Sequence, residues 1–311
     1  MSNYVNISSD IVEAQQRELQ EEKKVSKPRI EFNEKNYLQL RVGPGETQRT
    51  VTVRILPISA TDGRAFFTMN THSMKVNQEI SKSGFKSFIC LNDSNVVDDI
   101  ETEGCPLCDK AKELYAQADC CSDEFEKKDL VKAASQYRAK RTFIVRVIER
   151  GKEDDGVKFW RFNEHRNGDG CYDMLMNLYN IRNNESINAG QGPFNIFDLK
   201  NGKDIVILCK YDAANRKTVY NITDAGFPTP LSTDDEKIAE WVNDPKTWRD
   251  IYSLKSKGYL EIISQGDIPF FDKTSGKWIA KKSAAETGTG NTVLNDAPMS
   301  VQEEEDTDFP F

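Results

Sequence analysis

Cys105-Pro-Leu-Cys108 is the feature that most restricts how this chain folds, because it sets two thiols one turn apart at the start of a helical stretch. There both sulfurs converge on one point, and the helix N-terminus favours their negative charge. Two ligands do not close a metal site. Zinc takes four, and the upstream donors in reach are Cys90 and His72, giving His72-x17-Cys90-x14-Cys105-x2-Cys108. Cys120-Cys121 offers an alternative ligand. A CxxC alone also serves as a redox pair or as buried thiols, and a single histidine as an ordinary core residue. The His and Cys at upstream strand ends favour zinc. One histidine and three cysteines leave no open coordination position, so a single Zn2+ is expected to be structural, clamping a loop.

The chain has 311 residues, 38% of them hydrophobic, enough for one good-sized core with flexible ends left over. Seven cysteines is an odd number for a disulfide scaffold and points to a reducing compartment. No stretch reaches the roughly 18 apolar residues of a membrane span, and the N-terminus lacks the blocks of a signal peptide. No membrane association is expected.

The net charge of −8 argues against nucleic acid only if it is evenly spread. From Ser283 to Phe311 there are seven acidic residues and no Lys or Arg, which leaves 43 acidic against 42 basic residues before it. The body is near neutral and the tail carries the sign.

Composition and periodicity divide the chain into a helical arm (1–27), a β-rich core (28–225) holding the metal subdomain (about 68–120), a helical extension (226–282) and a disordered acidic tail (283–311). In the core, YLQLRV (37–42) and TVTVRILP (50–57) read as a hairpin, followed by strands at 64–74 and 84–90. Helices are expected at 105–118 and at 122–137, the latter with Ser122 as its N-cap. RTFIVRVIER (141–150) and VKFWRFN (157–163) form a second hairpin, and 203–212 with 217–224 a third. Helices follow at 172–181, at 232–241, and at 244–256 with Asp244 as N-cap and Pro245 in the first turn. The β count suits a barrel, in an α+β chain.

Tyr137, Arg138, Lys140, Arg141, Arg146, Lys158, Trp160, Arg161 and Phe162 fall in one short stretch that mixes cations with aromatic rings. Single-strand nucleic-acid binding uses that mixture: cations track phosphates while ring faces stack on bases regardless of sequence. On alternating strands, inward Phe143, Val145 and Val147 leave Arg146 facing out. A charged outer sheet face is also ordinary, so the cluster carries more than any member. At the end of the chain, EEEDTDFPF joins an acidic run to Phe309, Pro310 and Phe311. A partner pocket can take the two rings while its basic residues meet Asp306, Asp308 and the terminal carboxylate. The same acids can compete for the protein's own cationic groove. No HExxH, no phosphate-binding Gly-rich loop and only two histidines are present, so no catalysis is expected.

VRILP, a strand bearing the histidine, CPLC with its upstream cysteine, YRAKRTFIVRVIE, GVKFWRF and NGKDIVILCKYD together resemble the single-stranded DNA-binding (helix-destabilising) proteins of T-even-like phages, over about 50–224. The resemblance implies an OB-fold β-barrel with an embedded zinc subdomain, zinc on His72, Cys90, Cys105 and Cys108, and DNA in the cleft between them. It also implies cooperative coating of single strands in replication, recombination and repair, in the cytoplasm of an infected bacterial host. The family's basic N-terminal arm has no counterpart in this Glu- and Gln-rich N-terminus. DFPF is similar to the tail tip of bacterial single-stranded DNA-binding proteins, which implies polymerase, helicase-loader or recombinase partners; self-association along DNA is also expected. A zinc-containing adaptor of replication or transcription with little DNA affinity is the rival reading.

Overall fold

The computed structural model describes residues 34–43, 45–96, 104–165, 167–214 and 217–281. The arm expected at 1–27, Arg166, and the tail with Asp306, Asp308, Phe309, Pro310 and Phe311 lie outside the described residues. The described chain is α+β, with a mainly antiparallel sheet. No helix in it is long and apolar enough to cross a membrane.

Strands β1 (Gln48–Leu56), β2 (Phe67–Lys75), β3 (Phe85–Ile89), β4 (Lys140–Glu149), β5 (Lys158–Asn163), β6 (Ile205–Asp212) and β7 (Lys217–Asp224) share one sheet. The order is β3-β2-β4-β1-β6-β7, with β5 paired to β4. Central to it is β4, which carries β5 along one edge and, on the other, β2 over its first half and β1 over its second. The path does not close into a barrel among the described residues. The hairpin expected from 37–42 is not formed. Tyr37 makes an isolated parallel bridge to Phe159, Leu38 N–H donates to the Phe159 carbonyl at 3.0 Å, and Leu38 and Leu40 are buried in the core instead. Burial of two leucines outweighs local strand pairing.

Both faces of the sheet are covered. On one, Val53, Ile55, Val145, Val147, Trp160, Ile205 and Ile207 pack against Cys171, Leu175 and Leu178 of α3 (Cys171–Asn188). The opposite face buries Leu56, Ile148 and Val157 under Leu231 and Trp241, and Met69, Ile144 and Phe159 under Trp248, Ile251 and Tyr252. Two-sided burial makes β4 a continuous buried strand, so its alternation does not mark a solvent face.

This overturns the outward placement of Arg146, which is buried. Its guanidinium donates to the carbonyls of Trp241 (2.9 Å), Val242 (3.3 Å) and Asp244 (3.0 Å) at the C-terminal end of α4 (Asp235–Val242), and to those of Pro57 and Ile58. Helix C-termini leave carbonyls unpaired and favour cations. Burial pushes the Arg146 pKa down, against the opposing pull of Asp244. The helix expected at 244–256 is also corrected. Asp244 accepts from Lys246 N–H, only Trp248–Asp250 makes a short 3-10 turn, and the next helix is α5 (Lys257–Ser264), with Ser256 as its cap. After it comes a hairpin, β8 (Ile268–Asp272) and β9 (Lys277–Lys281), that sequence reasoning did not anticipate.

Glu149, Asp155 and Asp224 give the fold a pH dependence. Burial works to raise the Glu149 pKa, but Lys152 at 2.8 Å and Lys158 at 2.6 Å outweigh it and hold it below the usual carboxylate value. Lys158 does the same to Asp155, and Arg182 and Lys203 to Asp224 against its burial. A depressed folded pKa means that the unfolded chain takes up protons first as pH falls. The stability from these carboxylates is therefore present above pH about 4 and lost as pH drops through the lower folded values. Urea melts between pH 7 and pH 3 are expected to show that decline, and Glu149→Gln to flatten it; an unchanged slope refutes the assignment.

Candidate metal centre and nucleic-acid interface

The four proposed ligands come from separate elements. His72 lies on β2, opposite Phe88 of β3, and Cys90 directly follows β3. Cys105 is the N-cap of α1 (Pro106–Cys120), with Pro106 in the first turn, and Cys108 lies one turn further in. α2 (Glu124–Tyr137) then runs back along α1. Its N-cap is Asp123, which accepts from Phe125 and Glu126 N–H, and not Ser122 as expected.

The ligand atoms of His72, Cys90, Cys105 and Cys108 all lie within 4.8 Å of one another. Cys90 Sγ is 3.5 Å from Cys108 Sγ, and His72 Nε2 is 3.4 Å from Cys105 Sγ and 3.8 Å from Cys108 Sγ. Bonds of about 2.3 Å to sulfur and about 2.0 Å to nitrogen set tetrahedral ligand atoms roughly 3.5–3.8 Å apart. The cluster has that size, so it is able to hold a metal ion and is compatible with zinc. His72 Nδ1–H donates to the Tyr137 carbonyl at 2.7 Å, which fixes the tautomer and turns the Nε2 lone pair toward the sulfurs. Cys120 and Cys121 are not part of the cluster.

The four side chains perturb one another strongly. Hydrogen bonds from Cys108 and Cys90 hold the Cys105 thiol far below its usual pKa, while Cys90 is driven far up by Cys105, Cys108 and burial. Burial opposes the charged imidazole, yet Cys105 and Cys108 raise the His72 pKa to about 9. Three packed thiols with no ion between them must share protons; an ion lets all three be thiolates.

A second hydrophobic core surrounds the cluster. Met74, Phe88, Cys90, Leu91, Cys105 and Leu107 pack with Tyr259, Leu260 and Ile263 of α5. The C-terminal extension thus completes the metal subdomain's interior, and fully burying Leu107 and Leu260 stabilises it by ~2 kcal/mol each.

The basic and aromatic stretch separates into two groups. Arg146, Lys158 and Trp160 are buried and belong to the core, Lys158 because it pairs with Glu149 and Asp155, Trp160 because it faces α3. Phe159, next to them, is also core. Arg161 is half-buried with its guanidinium 5.3 Å from the Tyr37 and Tyr252 ring centres. Tyr137, Arg138 and Lys140 are half-buried and Arg141 is exposed, paired with Glu164 at 3.2 Å. These four join the metal subdomain to β4.

Beside them is an aromatic group only partly legible from sequence. Phe162 is opposite Phe143 in the register and stacks on it at 5.6 Å; Tyr172 also stacks on Phe143, at 4.4 Å, and Phe66 meets Tyr172 edge-on at 5.3 Å. Phe143 is buried, while Phe66, Phe162 and Tyr172 are half-buried. Sequence reasoning missed Phe66 and Tyr172 because they are distant along the chain from the basic stretch. Arg141 shares their sheet face, two residues before Phe143. No protein-family model and no curated protein sequence matches the chain.

Proposed function

We propose that this protein is a non-enzymatic single-stranded DNA-binding protein that coats DNA without regard to sequence and holds one structural zinc ion. The observation that carries the reading is the group of half-buried rings, Phe66, Phe162 and Tyr172, gathered about Phe143 on the sheet face that Arg141 shares. Cations for phosphates and aromatic rings for bases are what sequence-tolerant single-strand binding needs. The finer fold reading, an OB-type barrel carrying a zinc subdomain, is part of the proposal. It is supported by the three partners of β4 and by the Cys3His donor set, which suits a closed zinc site. The resemblance to the T-even-like phage proteins agrees with it, and the proposal extends to a role in replication, recombination and repair in an infected bacterium. In this reading the acidic end, Asp306 to Phe311, recruits partners and competes with DNA.

The test is fluorescence anisotropy of labelled oligo(dT) against a matching duplex, at low and high salt. The full chain is expected to bind single strands only, with affinity falling steeply in salt. Phe162→Ala and Tyr172→Ala each lower affinity by about fivefold or more, since one stacked base contributes about 1–3 kcal/mol. A chain ending at Pro298 binds more tightly. Absence of binding by both chains overturns the reading and favours the protein-interaction adaptor.

A further inference from the structure

The hairpin β8–β9 leaves a row of large apolar side chains in solvent. Phe270 is 54% exposed, Ile279 45% and Phe271 44%. Register puts Phe270 opposite Ile279 and Phe271 opposite Trp278, so the first pair occupies one face and the second the other. Trp278 and Phe271 turn toward α5, where Trp278 meets the Tyr259 ring edge-on at 4.9 Å. Phe270 and Ile279 face away, flanked on the same face by Lys277 and Lys281.

The surroundings are basic in a chain that is acidic as a whole. Lys281 pairs with Glu79 at 3.0 Å, and Val76 and Ile80 pack against the cluster that holds Tyr259, which brings the hairpin beside the β2–β3 turn. Residues 75–86 and 255–281 together hold eight lysines and four carboxylates. Two of those lysines already sit over rings, Lys75 over Phe85 at 5.7 Å and Lys255 over Tyr259 at 5.4 Å. Bare rings set among excess cations complement a ligand that presents anionic groups and flat π-faces in alternation. An apolar protein partner needs no such charge.

The geometry points to the β8–β9 hairpin as a second single-stranded nucleic-acid contact, with Phe270 stacking on a base and Lys273 and Lys277 on phosphates. This rests on the proposed function and extends it, since the hairpin belongs to a separate two-stranded sheet that does not include β5.

Tryptophan fluorescence of the full chain isolates this contact. Trp160, Trp241 and Trp248 are 2%, 7% and 9% exposed, whereas Trp278 is 36% exposed and lies on the hairpin itself, adjacent in β9 to Ile279, so it is the indole nearest to a strand bound there. Oligo(dT) is expected to quench the fluorescence, and Trp278→Phe to remove most of that quench. Phe270→Ala is expected to weaken binding by about fivefold or more. Lys273→Gln with Lys277→Gln, which disturbs no core packing, is expected to lower the salt slope by about 1.4 for two phosphates. If oligo(dT) binds but Trp278→Phe keeps the quench and neither variant changes affinity or salt slope, the hairpin contact is refuted and the DNA-binding reading stands. Should the variants alter only sedimentation of the free protein, the hairpin is instead a contact between copies. No binding by the unaltered chain removes both.

Discussion

Replacing Cys105 with serine is expected to strip the protein of its metal and to lower its stability by about 3 kcal/mol or more. Structural zinc in small domains carries roughly 10–16 kcal/mol of apparent binding free energy, and the smaller loss expected here follows from the apolar packing around α5, which supports the subdomain independently of the ion. The substitution is chosen because Cys105 is the N-cap of α1 and makes no side-chain capping bond. Serine is a favoured cap, worth about 1 kcal/mol over a non-capping residue, so the helix itself gains. Because Cys105 is fully buried, a serine hydroxyl there also carries a desolvation cost, so the metal content and not the melt alone decides the ligand set. The measurement is zinc per chain by elemental analysis together with a urea melt. The unaltered chain is expected to hold one equivalent, and Cys105→Ser to hold far less. Cys120→Ser and Cys121→Ser are expected to retain it. A full equivalent in Cys105→Ser, or its loss in Cys120→Ser, refutes the ligand set.

That control also shows where the sequence stops being readable. His72, Cys90, Cys105 and Cys108 are recognisable as a set because one CxxC opens a helix and only two histidines exist in the chain. Cys120 and Cys121 compete on spacing alone. Once α1 is known to run to Cys120, that residue is excluded, since it sits at the far end of a helix about 20 Å long. The strands were legible for a similar local reason: β-branched runs bounded by polar turns. What covers them was not. Arg146 reads as a solvent-facing cation until α4 folds over the sheet and presents its terminal carbonyls. Lys158 likewise looks available until its buried partner Glu149, nine residues earlier, is paired with it. Proximity along the chain grouped nine residues as one surface; strand faces and the second layer divide them. Conversely, Phe66 and Tyr172 join that surface from distant segments, and the exposed rings of β8–β9 have no periodicity that marks them.

Asp204→Ala is expected to cost about 3–5 kcal/mol, because it leaves a buried guanidinium without its counter-ion. Asp204 Oδ1 accepts from Arg54 Nη1 at 3.3 Å and from Arg150 Nη2 at 2.8 Å, and its Oδ2 accepts from Arg150 Nε at 3.0 Å. Arg54 is fully buried on β1, and burial pushes its pKa down against the opposing charge of Asp204. Its Nη2 also donates to the carbonyls of Asp198 and Thr229, and Arg150 Nη1 to that of Leu231 at 2.7 Å. The two arginines thus tie β1 and the end of β4 to the 198–204 loop and to the segment that leads into α4. That loop has no slack: a Cβ on Gly202 would lie 2.3 Å from the Asp198 carbonyl oxygen. Asp204→Asn keeps an acceptor and is expected to cost less than Asp204→Ala. Adding Arg54→Met to Asp204→Ala removes the stranded charge and is expected to recover part of the loss, as apolar replacement of a buried pair does elsewhere. Urea melts of the three chains decide it. Equal losses for Asp204→Ala with and without Arg54→Met would show that the arginine is satisfied by carbonyls alone, and that the carboxylate is dispensable.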